Sequence, residues 1–176
     1  MKKDYKLYNM IFPPFFLIGL TPWFWGASII GNFVIDSLVL LIIILIVFKR
    51  LDFKFYIRKI FAVYGLGFAA DLVGIIYLFA LSLIVSELPL SFRNPNTLLG
   101  GIASFMDYGK TNVTPYTYAF LISGILLSAA TIFCFNFFFV FRKKDMTRKQ
   151  RLFAALMLAI LTAPYTFLLR SFAITG

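Results

Sequence analysis

The chain has 176 residues, of which 61% are hydrophobic and 19% aromatic, a composition typical of an integral membrane protein and not of a soluble domain. Its formal charge of +10 comes from three basic clusters that flank apolar runs, so these clusters predict membrane topology and not nucleic-acid binding. Histidine is absent and Cys134 is the single cysteine, which excludes histidine-bound zinc and an intrachain disulfide. We expect Cys134 to be a buried packing residue.

The hydropathy pattern predicts an all-α integral membrane protein with one domain covering residues 1–176. The basic clusters at 2–6, 49–59 and 142–151 predict a cytoplasmic N-terminus and an external C-terminus, since Lys and Arg accumulate in short cytoplasmic loops. The predicted bundle has about five transmembrane helices, at residues 8–25, 27–48, 60–85, 116–141 and 152–169.

The first predicted span, 8–25, is short and irregular. Pro13 and Pro14 remove two backbone donors, and Pro22 is expected to break its far end. Trp23 would then lie at the outer membrane interface, where tryptophan is enriched. A re-entrant or interfacial segment is the alternative for this stretch.

The second predicted span, 27–48, contains a carboxylate. Asn32 and Asp36 are four residues apart and share one helix face, and Asp36 falls about halfway across the bilayer. No Lys or Arg occurs within the span to compensate the charge, so we expect Asp36 to be neutral at pH 7. The span ends at Lys49 and Arg50, which mark the cytoplasmic edge.

The third predicted span, 60–85, carries a second aspartate and a face of small residues. Gly67 and Gly74 lie on one face together with Asp71, and such a face lets another helix approach closely. Asp71 is expected near the depth of Asp36, so the two aspartates are predicted to face a common interior.

The rest of the chain is predicted to form an external loop followed by two spans. The loop 86–115 is polar and holds the segment 98–106 as a short predicted helix, and Thr114 followed by proline is a helix N-cap signal. In the last span, Ala155 and Ala159 form a small-residue stripe and Pro164 predicts a kink.

Asn32, Asp36 and Asp71 are the candidate functional residues. An ionised carboxylate within a membrane is costly, so intramembrane acids usually have a function. The three side chains supply oxygen ligands for a proton or a cation in a protein-lined cavity. The alternative is that each aspartate is hydrogen-bonded to a neighbouring helix and stabilises the bundle.

Residues 31–36, GNFVID, resemble the Gly-Asn-x-x-Asp element of signal peptidase II, a small polytopic aspartyl enzyme. The asparagine-to-aspartate spacing is one residue longer here, and Asp71 lacks the second motif of that family. The resemblance therefore implies an intramembrane aspartyl enzyme using Asp36 and Asp71 as the alternative function, and it assigns no catalytic residue.

The favoured function is a transport-related or accessory subunit of a larger complex in the cell membrane. In size and in its small-residue helix faces, the chain resembles substrate-binding subunits of energy-coupling-factor vitamin transporters. The expected partners are the lipid bilayer and other protein subunits, with no cofactor, metal or nucleic acid. Contacts with lipid headgroups or a cytosolic partner are predicted for Lys49, Arg50, Arg142, Lys143 and Lys144.

Overall fold

The computed structural model describes residues 22–94, 96–106, 114–142 and 146–168, and every regular element within them is helical. The all-α prediction is confirmed for this part of the chain. Five α-helices follow one another: α1 (Pro22–Phe48), α2 (Phe53–Ser86), α3 (Leu98–Met106), α4 (Pro115–Phe135) and α5 (Arg148–Leu161). Helix α4 continues as a π-helix (Asn136–Val140), and short 3₁₀ helices cover Leu90–Phe92 and Tyr165–Leu168.

Three of these helices are long and apolar enough to cross a membrane. The qualifying segments are Ile29–Phe48 in α1, Phe53–Ser86, which is all of α2, and Pro115–Val140, which is α4 with its π-helix. Large apolar side chains on them point outward: Ile30 is 65% exposed and Phe61 71% exposed. Because extensive exposed apolar surface is unfavourable in water, these features indicate a membrane protein.

The N-terminal end of α1 differs from the predicted boundary. Most of the first predicted span, residues 8–21, lies outside the described residues. Pro22 begins α1, a position that suits proline because the first helical turn leaves the backbone N–H of this residue unused. Residues 22–25 therefore belong to the same helix as the second predicted span.

Helix α2 begins at Phe53, earlier than the predicted start at residue 60. The Asp52 carboxylate caps the helix by accepting a 2.9 Å hydrogen bond from the backbone N–H of Phe55, as aspartate commonly does at an N-cap. Lys54 and Lys59 consequently lie on the helix, and only residues 49–52 connect it to α1.

Helix α5 also differs from its predicted span, 152–169. It starts at Arg148 because Thr147 and Gln150 form a capping box, and it ends at Leu161, so the prediction of one helix kinked at Pro164 is wrong. A proline disfavours the α conformation of the residue before it, so the helix ends ahead of Pro164. Its 14 residues span about 21 Å, less than a hydrocarbon core of about 30 Å.

Helices α1 and α2 form an antiparallel hairpin joined by polar and aromatic contacts. The hydroxyls of Ser37 and Tyr56 lie 2.6 Å apart. The Phe33 ring meets the Tyr64 ring edge-on, with 5.5 Å between centroids. These contacts fix the register between the two helices and so place Asp36 opposite a defined part of α2.

The core divides into two hydrophobic clusters along α2. One includes Ile60, Val63 and Ala70, and the other includes Ile75 and Leu78. The boundary between the clusters falls at residues 71–74 of α2. Asp71 therefore lies where the apolar packing is interrupted.

Helix α4 packs against α2 through small residues. A Cβ added to Gly74 would come within 2.0 Å of the Ser128 hydroxyl oxygen and 3.0 Å of the Gly124 carbonyl oxygen. Thr114 caps α4, as predicted, by accepting a hydrogen bond from the backbone N–H of Thr117. The prediction that Cys134 is buried is wrong: it is exposed on α4, away from the face that buries Ser128 and Ile132.

Candidate functional site

A cavity of about 180 Å³ lies between α1, α2 and the segment that follows α5. It occupies the boundary between the two hydrophobic clusters. The wall combines polar side chains with apolar ones. Its polar side chains are Asn32 and Asp36 from α1, Tyr64 and Asp71 from α2, and Thr162 and Tyr165 from the last segment.

The cavity brings together the three residues singled out from the sequence. Helix α1 presents Asn32 and Asp36 to the cavity, and α2 presents Asp71. Measured from the turn at 49–52, Asp36 lies about 18 Å along α1, and Asp71 lies about 27 Å along α2. Asp71 is therefore about one or two helical turns farther from that turn than Asp36, because α2 starts earlier than predicted.

Gly67 makes room for the Asp36 side chain. A Cβ added at Gly67 would lie 3.4 Å from Oδ2 of Asp36, which is ordinary contact distance. A larger side chain at this position would enter the space beside the carboxyl group. Gly67, which was predicted to lie on a helix-packing face, therefore borders the cavity.

The two carboxyl groups, one on the buried Asp36 and one on the half-buried Asp71, receive no hydrogen bond from the described residues. Asp36 is only 7% exposed, and no donor among the described residues reaches it. Oδ1 of Asp71 is buried and has no hydrogen-bond partner in the described structure. The two side chains line the same cavity. Buried polar groups normally find a partner; in the described structure the side-chain oxygens of Ser128 and Asn136 are also buried without one, but neither residue lines the cavity.

The hydroxyl groups around the cavity donate elsewhere. Tyr64 donates to the carbonyl oxygen of Ile29 at 3.3 Å, and Thr162 donates to that of Leu158 at 2.9 Å. Tyr165 donates to a carbonyl oxygen of α5. Each hydroxyl proton is thus directed at the backbone and not at a carboxylate. Of the described polar side chains in the wall, only the Asn32 amide keeps an uncommitted donor.

The arrangement can accept a proton or a cation. A carboxylate in an apolar environment is costly unless it is protonated or paired with a positive charge. None of the described residues in the cavity wall is basic, so the wall itself supplies no such charge. The described wall can therefore be neutralised by a proton, an ion or part of a ligand.

A second group of buried polar contacts lies at the opposite end of the hairpin and was missed in the sequence. Arg151 is 7% exposed and donates to the carbonyl oxygens of Phe141, at 2.6 Å, and Phe137. Its guanidinium carbon lies 4.5 Å from the centroid of the Phe137 ring. Lys59 donates to the carbonyl oxygen of Val140 at 2.6 Å. These cations satisfy carbonyl groups at the end of the π-helix.

The sequence analysis assigned Arg151 and Lys59 to cytoplasmic loops. Nothing in the spacing of the basic residues distinguishes Arg151 from its exposed neighbour Arg148. The one available signal was the Thr147–Gln150 capping box, which starts α5 early enough to place Arg151 in its first turn. The π-helix that frees the carbonyl groups has no evident sequence signal.

The other predicted contact residues occupy different surroundings. Lys49, Arg50 and Arg142 are exposed, and Lys143 and Lys144 lie outside the described residues. Ala155 and Ala159 are buried within the chain. Gly74 is also buried, where α2 packs against α4. These small residues are therefore used for packing inside the protein.

No protein-family model matches the chain, and no curated protein and no solved structure is significantly similar to it.

Proposed function

We propose that this protein is a transport-related membrane subunit that exchanges a proton for a cation at Asp36 and Asp71. The observation that carries the proposal is the pair of buried carboxyl groups, which share a cavity and receive no hydrogen bond from the described residues. A protonated pair is neutral and suits the apolar surroundings. A bound monovalent cation replaces one of the two protons while the other carboxyl group keeps its own, so neither state leaves an uncompensated carboxylate.

Proton–cation exchange can be tested with the purified protein in sealed liposomes. An inward sodium or potassium gradient should drive protons outward, and a pH indicator inside the vesicles would report the change. Asp36→Asn and Asp71→Asn should each abolish this exchange, whereas Asp52→Asn should preserve it. Equal proton movement in all four proteins, or in empty liposomes, would contradict the proposal.

The proposed orientation places the turn at 49–52 and the start of α5 on the cytoplasmic side of the cell membrane. Exposed basic residues at both sites support this orientation. In a Cys134→Ser background, Lys149→Cys should be shielded from an impermeant thiol reagent outside the cell, and Asn96→Cys should be labelled. Labelling of Lys149→Cys from outside would contradict the orientation.

Assembly with another subunit is the second part of the proposal. Since Gly74, Ala155 and Ala159 pack inside the chain, a partner would bind to the exposed apolar surface or to the basic turns. Purification of the tagged protein from its native membrane should recover a stoichiometric protein partner. Recovery of the protein alone, with proton exchange intact, would indicate that it functions without a partner.

An intramembrane aspartyl enzyme is the alternative, and the shared cavity also favours it. An aspartyl dyad divides acid and base roles between two carboxyl groups that share a proton. Within the described residues no hydrogen bond joins Asp36 to Asp71. Peptide hydrolysis that requires both aspartates, without proton exchange in liposomes, would support the enzyme over the transport subunit.

A further inference from the structure

We propose that the cavity binds a small primary amine, with the ammonium group between Asp36 and Asp71 and the organic part against the apolar wall. This inference rests on the proposed function and specifies the class of its cation. It follows from three features of the cavity: the missing donors, the composition of the wall and the volume.

The missing donors favour an ammonium group over a cation without hydrogens. Asp36 is 93% buried, as its 7% exposure implies, and Oδ1 of Asp71 has no partner in the described residues. The wall hydroxyls donate to backbone carbonyls and cannot serve the carboxylates at the same time. A primary ammonium carries three N–H donors, so it can donate to both carboxyl groups and balance the charge of the one that has lost its proton.

The wall is suited to an organic substituent. Ile35, Ile75 and Pro164 give it apolar surface, and the Tyr64 and Phe167 rings also line it. Aromatic faces attract organic cations as well as apolar groups. A hydrated inorganic ion would leave this surface unused, because such an ion prefers oxygen ligands on several sides.

The volume limits the size of the ligand. An apolar protein cavity of about 150 Å³ accommodates benzene, and this cavity measures about 180 Å³. A single bare cation would leave most of the space empty, whereas drug-sized ligands occupy pockets of roughly 300 Å³ or more. The expected ligand is therefore close to benzylamine in size.

Benzylamine is a suitable probe, and benzyl alcohol is its uncharged counterpart. We would measure the binding of both to the full chain in nanodiscs by equilibrium dialysis at pH 7, with empty nanodiscs as the blank. Benzylamine should bind saturably at one site per chain. Benzyl alcohol should bind at least about tenfold more weakly, since charge-assisted hydrogen bonds are roughly twice as strong as neutral ones.

Two kinds of variant locate the site. Asp36→Asn and Asp71→Asn should each weaken benzylamine binding by about tenfold or more, and Asp52→Asn, at a helix cap where asparagine serves equally well, should not. Gly67→Val keeps both carboxyl groups but places methyl groups beside Asp36. It should weaken benzylamine binding by a larger factor than sodium binding, which is measured with radioactive sodium. This variant tests the proposal even if an aspartate variant fails to fold.

Three results would overturn the inference. Equal binding of benzyl alcohol and benzylamine would show that the ammonium group is not recognised. Benzylamine binding that survives both aspartate substitutions would place it elsewhere. Sodium binding that depends on the aspartates, without benzylamine binding, would reject the amine but leave the proposed proton–cation exchange intact. A different result, benzylamine binding without any exchange in liposomes, would retain the amine site and reject the transport function.

Discussion

The two buried polar regions of this protein differ in how their charges are satisfied. At the end of the π-helix, Arg151 donates to two backbone carbonyls and Lys59 to a third. In the cavity, Asp36 and Asp71 receive no hydrogen bond from the described residues. Buried cations that donate to backbone carbonyl groups indicate a structural role, whereas carboxyl groups left without donors around a cavity indicate a place where something else binds.

The largest expected loss of stability comes from removing the guanidinium group of Arg151. Arg151→Met keeps an unbranched aliphatic chain of similar length but removes the guanidinium group, so the carbonyl groups of Phe137 and Phe141 lose their donor. Because hydrogen bonds to charged groups contribute about 1.5–3 kcal/mol each, we expect the free energy of unfolding to fall by about 3 kcal/mol. Thermal unfolding in detergent would measure this loss.

Arg148→Met is the matched control for Arg151→Met. Arg148 is exposed in the same turn of α5, so its replacement should change stability by less than about 0.5 kcal/mol. If the two variants unfolded at the same temperature, Arg151 would have no special structural role, and the first half of the comparison would fail.

A smaller loss of stability is expected from a substitution at Gly74, where α2 packs against α4 next to the cavity. Gly74→Ala places a methyl group against the Ser128 hydroxyl and the backbone of Gly124, and overpacking of this kind costs about 1–3 kcal/mol. The Cβ position of Gly65, on the same helix, has no atom within 4 Å. Gly65→Ala should therefore be neutral or stabilising, and a loss of stability as large as that of Gly74→Ala would contradict the packing.

The smallest effect on stability is expected at the carboxyl groups themselves. Asp71→Asn retains the shape of the side chain, and in the proposed exchange Asp71 is protonated when no cation is bound, so the substitution exchanges one neutral side chain for another. The free energy of unfolding should therefore stay within about 1 kcal/mol of the original, because neither side chain places an unpaired charge in the protein. Thermal unfolding compared with Arg151→Met would test the contrast, and a loss as large as the Arg151→Met loss would make Asp71 structural.

The sequence was sufficient for those features that depend on apolar length and local capping. The long apolar runs predicted α1, α2 and α4, and the Thr114–Pro115 pair predicted the start of α4. It also predicted that Asp36 and Asp71 would face a common interior, and both line the cavity. These features are local, or follow from the pairing of two adjacent helices.

The remaining features depend on contacts between distant parts of the chain. The residues from 161 to 165 close the cavity, although they are far from Asp36 in the sequence. Burial of Arg151 depends on the π-helix of α4, and exposure of Cys134 depends on which α4 face meets α2. Periodicity within one helix cannot specify which neighbour covers a given face.

The central claim is that Asp36 and Asp71 each hold a proton until a monovalent cation replaces one of the two protons. Infrared difference spectroscopy of the protein in lipid, recorded as benzylammonium or sodium is added at constant pH, would observe the carboxyl groups directly. We predict that the band of protonated carboxyl groups decreases as a carboxylate band grows, and that the Asp36→Asn, Asp71→Asn double variant shows neither change. An unchanged carboxyl spectrum at saturating concentrations of both cations, or the same change in the double variant, would contradict the account.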